Sequence, residues 1–239
     1  VNGIALLIID ISEKEKAEQM RKEFTANVSH ELKTPLQNIS GCAELLSNGL
    51  VKKEDITKFS NQIYSESKRL MTLIDDIIKL SFLDEDNNDS VDYKDVDVYK
   101  LCESVNNDLA LVAKNNNVNL SLNGDHFITN SSSRLLYMVI YNLVDNAIKY
   151  NRPGGYVDIS VSNEGIIKVK DNGIGIPEES IDRIFERFYR VDKSHSKEVG
   201  GTGLGLSIVK HAVLTLGGDI SVISKLNEGS EFTIVLPKL

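Results

Sequence analysis

Several short segments hold residue types that can do chemistry together. The first, Ser29-His30-Glu31-Leu32-Lys33-Thr34-Pro35, sets an imidazole beside a carboxylate. His30 follows Val28 by two positions, about 200° round a helix from the apolar stripe to which Val28 belongs, so it points outward. An outward imidazole can act as a nucleophile, and Glu31 can accept one ring N–H and sharpen the other nitrogen. Thr34 lies one turn further along the same face. Pro35 removes a helical hydrogen bond and favours a local bend. A solvated helix face with an incidental histidine has the same composition, and this segment alone does not choose between the two.

The second segment, Asn142-Leu143-Val144-Asp145-Asn146-Ala147-Ile148-Lys149-Tyr150, brings Asn142, Asn146, Lys149 and Tyr150 within roughly 100° of helical arc. Amide oxygens suit Mg²⁺, an ammonium suits phosphate, and a phenol ring can lie against a base. An ordinary polar helix face fits the same letters. The third, Asp171-Asn172-Gly173-Ile174-Gly175-Ile176-Pro177, follows a strand pattern; its glycines allow close backbone approach to a flat ligand, and Asp171 can accept from an exocyclic amine. A plain turn has this composition too.

The fourth, Gly200-Gly201-Thr202-Gly203-Leu204-Gly205-Leu206, leads into a helix whose first N–H groups can cradle phosphate. No Lys-Ser or Lys-Thr follows and no strand precedes, which excludes a Walker loop and a dinucleotide fingerprint. Between Pro177 and Gly200, the stretch with Phe185-Glu186-Arg187-Phe188-Tyr189-Arg190 reads as a lid carrying Arg187, Arg190 and Lys193, or else as a charged helix.

The elements that must position these residues fall into three regions. Residues 1–11 read as one strand. Ser12 with Glu15 forms a capping box that opens a helix with its apolar stripe at Phe24, Val28, Leu32, Leu36, Ile39, Ala43 and Leu46. A turn over Ser47 to Lys53 leads to a second stripe: Ile56, Phe59, Ile63, Leu70, Leu73, Ile77 and Leu80. Two helices with one stripe each cannot enclose a core, so a four-helix bundle across a two-fold dimer is expected. The acidic run over residues 84–92 reads as a hinge. Beyond it, helices are expected at 98–114, 132–149 and 204–216, and strands at 118–122, 156–162, 165–170, 219–224 and 230–236. The fold class is α+β: a helical hairpin over 12–86, a hinge over 87–92, and an α/β sandwich over 93–239.

Composition sets the outer bounds. At 239 residues and 41% hydrophobic, the chain has enough apolar material for real cores. Its 27 basic and 35 acidic side chains give a net charge of −8, which argues against holding nucleic acid through phosphate neutralisation. Cys42 and Cys102 lack CxxC or His neighbours, so a zinc site is not expected and a reducing compartment is. The apolar run over 4–9 is too short to span a bilayer and has no cleavage site after it, so an intracellular chain is expected.

Taken in order, SHELKTP, NLVDNAIKY, DNGIGI, FERFYR and GGTGLGL resemble the five motif boxes of sensor histidine kinases, over about residues 24–237. The resemblance implies a dimerisation and phosphotransfer hairpin joined to an ATP-binding domain of the gyrase and chaperone type. Residues 1–11 are similar to the end of a PAS-type input domain. This implies the cytoplasmic core of a longer receptor, anchored in the membrane only through segments that precede the chain.

By the same resemblance, His30 is the phosphoacceptor and Glu31 its general base. Thr34 orients water for dephosphorylating a partner. Asn142 and Asn146 hold Mg²⁺, Lys149 contacts phosphate, Tyr150 packs on the nucleotide, and Asp171 reads the adenine amine. Gly173 and Gly175 line the base pocket. Gly201, Thr202, Gly203, Leu204 and Gly205 shape the phosphate end, and Arg190 reaches the γ-phosphate. The implied cofactors are ATP and Mg²⁺, and the implied partners are a second copy of the chain and the receiver domain of a response regulator. His126, His195 and His211 have no place in the boxes. A chaperone- or topoisomerase-type ATPase would have no need of SHELKTP. A silent or phosphatase-locked scaffold would have no need of intact Asn142, Asn146 and Asp171.

Overall fold

Alternating steps of four and three residues build the seam of the first helix. The computed structural model describes residues 12–84, 92–191 and 201–237. The strand expected over 1–11, most of the hinge, Lys193 and His195 lie outside these residues. Helix α1 runs Ser12–Ser47 and continues through Pro35. Phe24, Val28, Leu32, Ile39 and Leu46 are half-buried and Pro35 and Cys42 buried, so the seam steps 28, 32, 35, 39, 42, 46. These positions repeat every seven residues, the spacing that keeps a seam against a neighbouring helix. Leu36 and Ala43, placed inward by the apolar pattern, are instead exposed, Leu36 at 55%. They flank the seam one position on.

α1 ends at an Asn48-Gly49 turn, where Gly49 takes φ +67 and the Leu50 N–H returns to the Leu45 carbonyl at 3.0 Å. A glycine in the left-handed region is the usual way to end a helix. A short 3₁₀ turn at Lys53–Asp55 then feeds α2, Ile56–Asp84. The chain divides into two compact units between Leu73 and Ile74. No helix among the described residues is long and apolar enough to cross a membrane.

The second unit takes in the last turns of α2 and everything beyond. Strand β1 (Lys94–Asp97) leads into α3 (Val98–Asn115), capped by the Asp97 carboxylate, which accepts from the Lys100 N–H. Then come β2 (Asn119–Gly124), β3 (Ile128–Ser131) and α4 (Ser133–Lys149), capped by Ser132. β4 (Tyr156–Val161), β5 (Ile166–Asp171), α5 (Gly205–Thr215), β6 (Asp219–Lys225) and β7 (Gly229–Val235) complete it. The main sheet has the order β2-β4-β5-β7-β6, with β2 parallel to β4 and the other pairs antiparallel. β1 and β3 form a separate antiparallel pair that the sequence pattern does not reveal, since Lys94-Asp95-Val96-Asp97 is poor in strand formers.

Alternation decides which face of the sheet the helices cover. Val157, Ile159, Ile167, Val169, Phe232 and Ile234 are buried on one face, against Leu136, Ile140, Leu143 and Ala147 of α4 and Ile208, Val209 and Ala212 of α5. The opposite face carries Lys168 and Glu231, paired at 2.8 Å. The result is a two-layer sandwich. The segment over 181–188 forms successive turns and not a charged helix.

Candidate functional site

The polar face of α4 adjoins its buried stripe, and this fixes where Asn142 and Asn146 sit. Both are half-buried. The Asn142 Nδ2 donates to the Met138 carbonyl at 2.7 Å, which leaves its oxygen to face the start of α5. A Cβ built on Gly205 would lie 3.3 Å from Asn142 Oδ1 and 3.8 Å from Asn146 Nδ2. A Cβ on Gly201 would lie 3.0 Å from the Tyr150 hydroxyl. Two glycines of the GTGLG loop therefore keep open the space that Asn142, Asn146 and Tyr150 border. Amide and phenol oxygens around a side-chain-free backbone make a donor set that fits a hard cation and phosphate oxygens.

Tyr150 ends α4 and ties this space to the loop after β5. The Ile174 N–H donates to the Tyr150 carbonyl at 3.0 Å, and a Cβ on Gly173 would meet that carbonyl at 2.4 Å. Asp171 is buried at the end of β5. Burial raises its pKa, against hydrogen bonds from the Gly173 and Ser230 N–H groups, the former at 2.8 Å to Oδ1. Because the native pKa is raised, ionisation costs the fold stability, and that cost grows as pH climbs through the native value. An amine donor bound beside the carboxylate offsets it. If the ligand is the adenine that the motif resemblance implies, Asp171→Asn is expected to weaken its binding tenfold to a hundredfold, about the 1.5–3 kcal/mol of a hydrogen bond to a charged group, as measured by nucleotide titration.

The far side of the loop is held by the β6–β7 hairpin. Gly175 takes φ +67, and a Cβ there would lie 2.0 Å from the Lys225 carbonyl. The Asn227 N–H donates to the Ile174 carbonyl at 2.7 Å and the Ile176 N–H to Ser224 Oγ at 2.8 Å. Gly175→Ala is expected to cost about 2 kcal/mol or more in urea denaturation, from left-handed strain plus the collision. Gly229 has a similar part that the motifs do not flag: at φ +114, its Cβ would strike the Asp171 carbonyl at 2.1 Å. The signal was available as a glycine in the turn between two strand patterns.

The remaining residues expected at the phosphate end take these places. Gly203, at φ +75, lets its backbone pass that of Phe188, whose N–H donates to the Gly203 carbonyl at 2.9 Å. Leu204 is fully buried. Thr202 donates its hydroxyl to Asp76 Oδ2 at 2.8 Å, a tie that local sequence does not show because 126 residues separate the pair. Lys149 pairs with Asp145 one turn back. Arg190 is half-buried, with its Nε and Nη2 shielded from solvent. His126 meets Asp97 at 2.8 Å and His211 lies 3.3 Å from Asp84.

His30, Glu31 and Thr34 belong to the first unit. The His30 side chain is 80% exposed, with Nδ1 3.9 Å from Glu31 Oε1. The Thr34 hydroxyl donates to the His30 carbonyl at 3.2 Å, while Pro35 can offer no N–H to the Glu31 carbonyl. Glu31 Oε2 accepts from Arg69 Nη2 at 3.0 Å.

The fold and these sites together define a two-part protein: a helical hairpin presenting a histidine, and a sandwich in which Asn142, Asn146 and Tyr150 adjoin a glycine-rich loop. Residues 20–86 match the His Kinase A (phospho-acceptor) domain family, and residues 131–239 match the histidine kinase-, DNA gyrase B-, and HSP90-like ATPase family. The chain belongs to the sensor histidine kinases of two-component systems. It is similar to sensor histidine kinase WalK of Bacillus subtilis, 36% identical over 99% of this chain and 40% of that protein. It is also similar to sensor protein kinase WalK of Staphylococcus aureus, 34% identical over 99% of this chain and 58% of that protein. The chain thus spans less than two thirds of these relatives. Among solved structures, Acinetobacter baumannii histidine kinase AdeS superposes with a TM-score of 0.70 at 25% identity, covering 87% of this chain and 96% of that one. Histidine kinase ThkA, solved in complex with response regulator protein TrrA, shares the fold with a TM-score of 0.73 at 23% identity, covering 97% of this chain and 68% of that one.

Proposed function

We propose that this chain is the catalytic core of an ATP-dependent protein histidine autokinase that phosphorylates His30 and passes the group to an aspartate of a response regulator. The observation that carries the reading is the pairing, in one chain, of an exposed imidazole beside a carboxylate with a cleft bordered by Asn142, Asn146, Tyr150 and Asp171. Glu31 stands on the Nδ1 side of His30, so Nε2 is the attacking nitrogen. A bond forms between Nε2 and the γ-phosphorus, the bond to the bridging β–γ oxygen breaks, and ADP leaves. The Nδ1 proton goes to Glu31. Asn142 and Asn146 would hold Mg²⁺, which when bound draws charge from the phosphate oxygens. Asp171 fixes the adenine, and Lys149, Arg190 and the GTGLG backbone set the phosphates. Positioning and electrostatic stabilisation are most of what phosphoryl transfer needs.

Thr34, with its hydroxyl proton given to the His30 carbonyl, keeps oxygen lone pairs for a water molecule. This supports a second activity, dephosphorylation of the regulator. The apolar side chains left on the first unit, among them Met20, Leu36, Leu45, Ile56 and Met71, suit burial against a second copy. The regulator docks on the bundle surface beside His30, and the core works in the cytoplasm of a receptor anchored by segments beyond this chain. The test is transfer: the labelled chain, freed of ATP, is mixed with receiver domains. Label that moves to a receiver and becomes sensitive to hydroxylamine supports the reading. Label that stays on the chain with every receiver counts against a relay.

A further inference from the structure

Arg69 of α2 lies between two carboxylates inside the first unit. Its Nη2 is 3.0 Å from Glu31 Oε2 and its Nη1 3.9 Å from Glu66 Oε2. The Arg69 and Glu66 side chains are only 19% and 18% exposed, against 32% for Glu31. Glu66 is held in turn: its Oε1 accepts from Asn38 Nδ2 at 2.9 Å, while its Oε2 is buried with no hydrogen-bond partner. If the guanidinium swung away, the shielded Glu66 Oε2 would lose the cation beside it and the carboxylate would keep only the Asn38 amide, which is costly for a charge largely removed from water. It is therefore a fixed donor, and Glu31 must bring Oε2 to it. That leaves Oε1 on the His30 side, 3.9 Å from Nδ1, one short adjustment from a hydrogen bond.

From this geometry we propose that Arg69, anchored by Glu66 and Asn38, is a positioning residue for phosphorylation of His30: it fixes the Glu31 carboxylate so that one oxygen is aimed at the imidazole. The inference rests on the reading of His30 as acceptor and Glu31 as its base. Without Arg69 the carboxylate loses its fixed rotamer, and proton removal from Nδ1 slows while nucleotide binding is untouched.

The experiment follows the rate of labelling from γ-labelled ATP for the whole chain, in wild-type and Glu31→Gln backgrounds. In the wild-type background, Arg69→Met is expected to lower the maximal rate about tenfold, with KM for ATP unchanged. Arg69→Lys keeps the charge without the fork and is expected to recover part of the loss. In the Glu31→Gln background, Arg69→Met is expected to change nothing further. An equal loss in both backgrounds, an unchanged rate or a faster one would overturn the role of Arg69. Wild-type labelling by Glu31→Gln itself would overturn the base assignment, and the proposal with it. Should Arg69→Met not fold, Glu66→Gln weakens the same anchor while keeping an acceptor for Asn38. It must then show a lower maximal rate at unchanged KM, with no effect in the Glu31→Gln background.

Discussion

A chain carrying His30→Gln will bind ATP as the wild type does and take up no acid-labile phosphate. The expectation is sharp because the side chain is 80% exposed and its Nδ1 lies as far as 3.9 Å from Glu31 Oε1. Removing an imidazole that supports so little packing costs the hairpin little, since surface substitutions away from special features usually stay within about 0.5 kcal/mol. Helix α1 passes through this position on backbone hydrogen bonds, and Gln is a good helix former. Loss of label with ATP affinity and helicity preserved therefore isolates the acceptor. Label retained at the wild-type level would mean that another side chain takes the phosphoryl group.

Asn146→Ala is expected to lower labelling of His30 by roughly a thousandfold, in line with the loss of one preorganised electrostatic partner of a transition state. Asn146 is half-buried on the flank of α4, beside Ala147 and Leu143, which are buried and keep the helix on the sheet. Alanine is the best helix former, so the fold should hold. The group lost is the side-chain amide that borders Gly205, its Nδ2 3.8 Å from a Cβ built there. Initial rates over a Mg²⁺ series separate the cases: a defect that high Mg²⁺ only partly restores fits a cation-holding role. A rate equal to wild type at every Mg²⁺ level would remove Asn146 from the site.

Much of the architecture could be read from periodicity. α4 was legible because Leu136, Ile140, Leu143 and Ala147 recur at helical steps and are all buried. β4 and β5 were legible because every second residue is buried along each. The first helix divides its apolar stripe: the seam inside the hairpin buries Pro35, while Leu36 beside it stays exposed in the single chain. β1 and β3 escaped because four-residue strands gain their stability from pairing, which local propensity does not encode.

The cleft was legible where backbone needs dictate composition. Gly175 and Gly203 have to be glycine because their φ is positive and a neighbouring backbone lies against them. Groups tied across the fold were not legible. Arg69 meets Glu31 across 38 residues and Glu66 meets Asn38 across 28, and no spacing rule links them. Thr202 carried a phosphate-loop expectation, and the structure adds its bond to Asp76.

The most direct test is the chemistry of the bond that holds the label. Wild-type chain is incubated with γ-labelled ATP and Mg²⁺, denatured, and divided between acid and alkali before digestion. The label is expected to be lost in acid, kept in alkali and carried by the peptide containing His30, as a phosphoramidate requires. Label that survives acid, as a hydroxyl ester would, or its absence from a chain that binds ATP, would contradict that expectation.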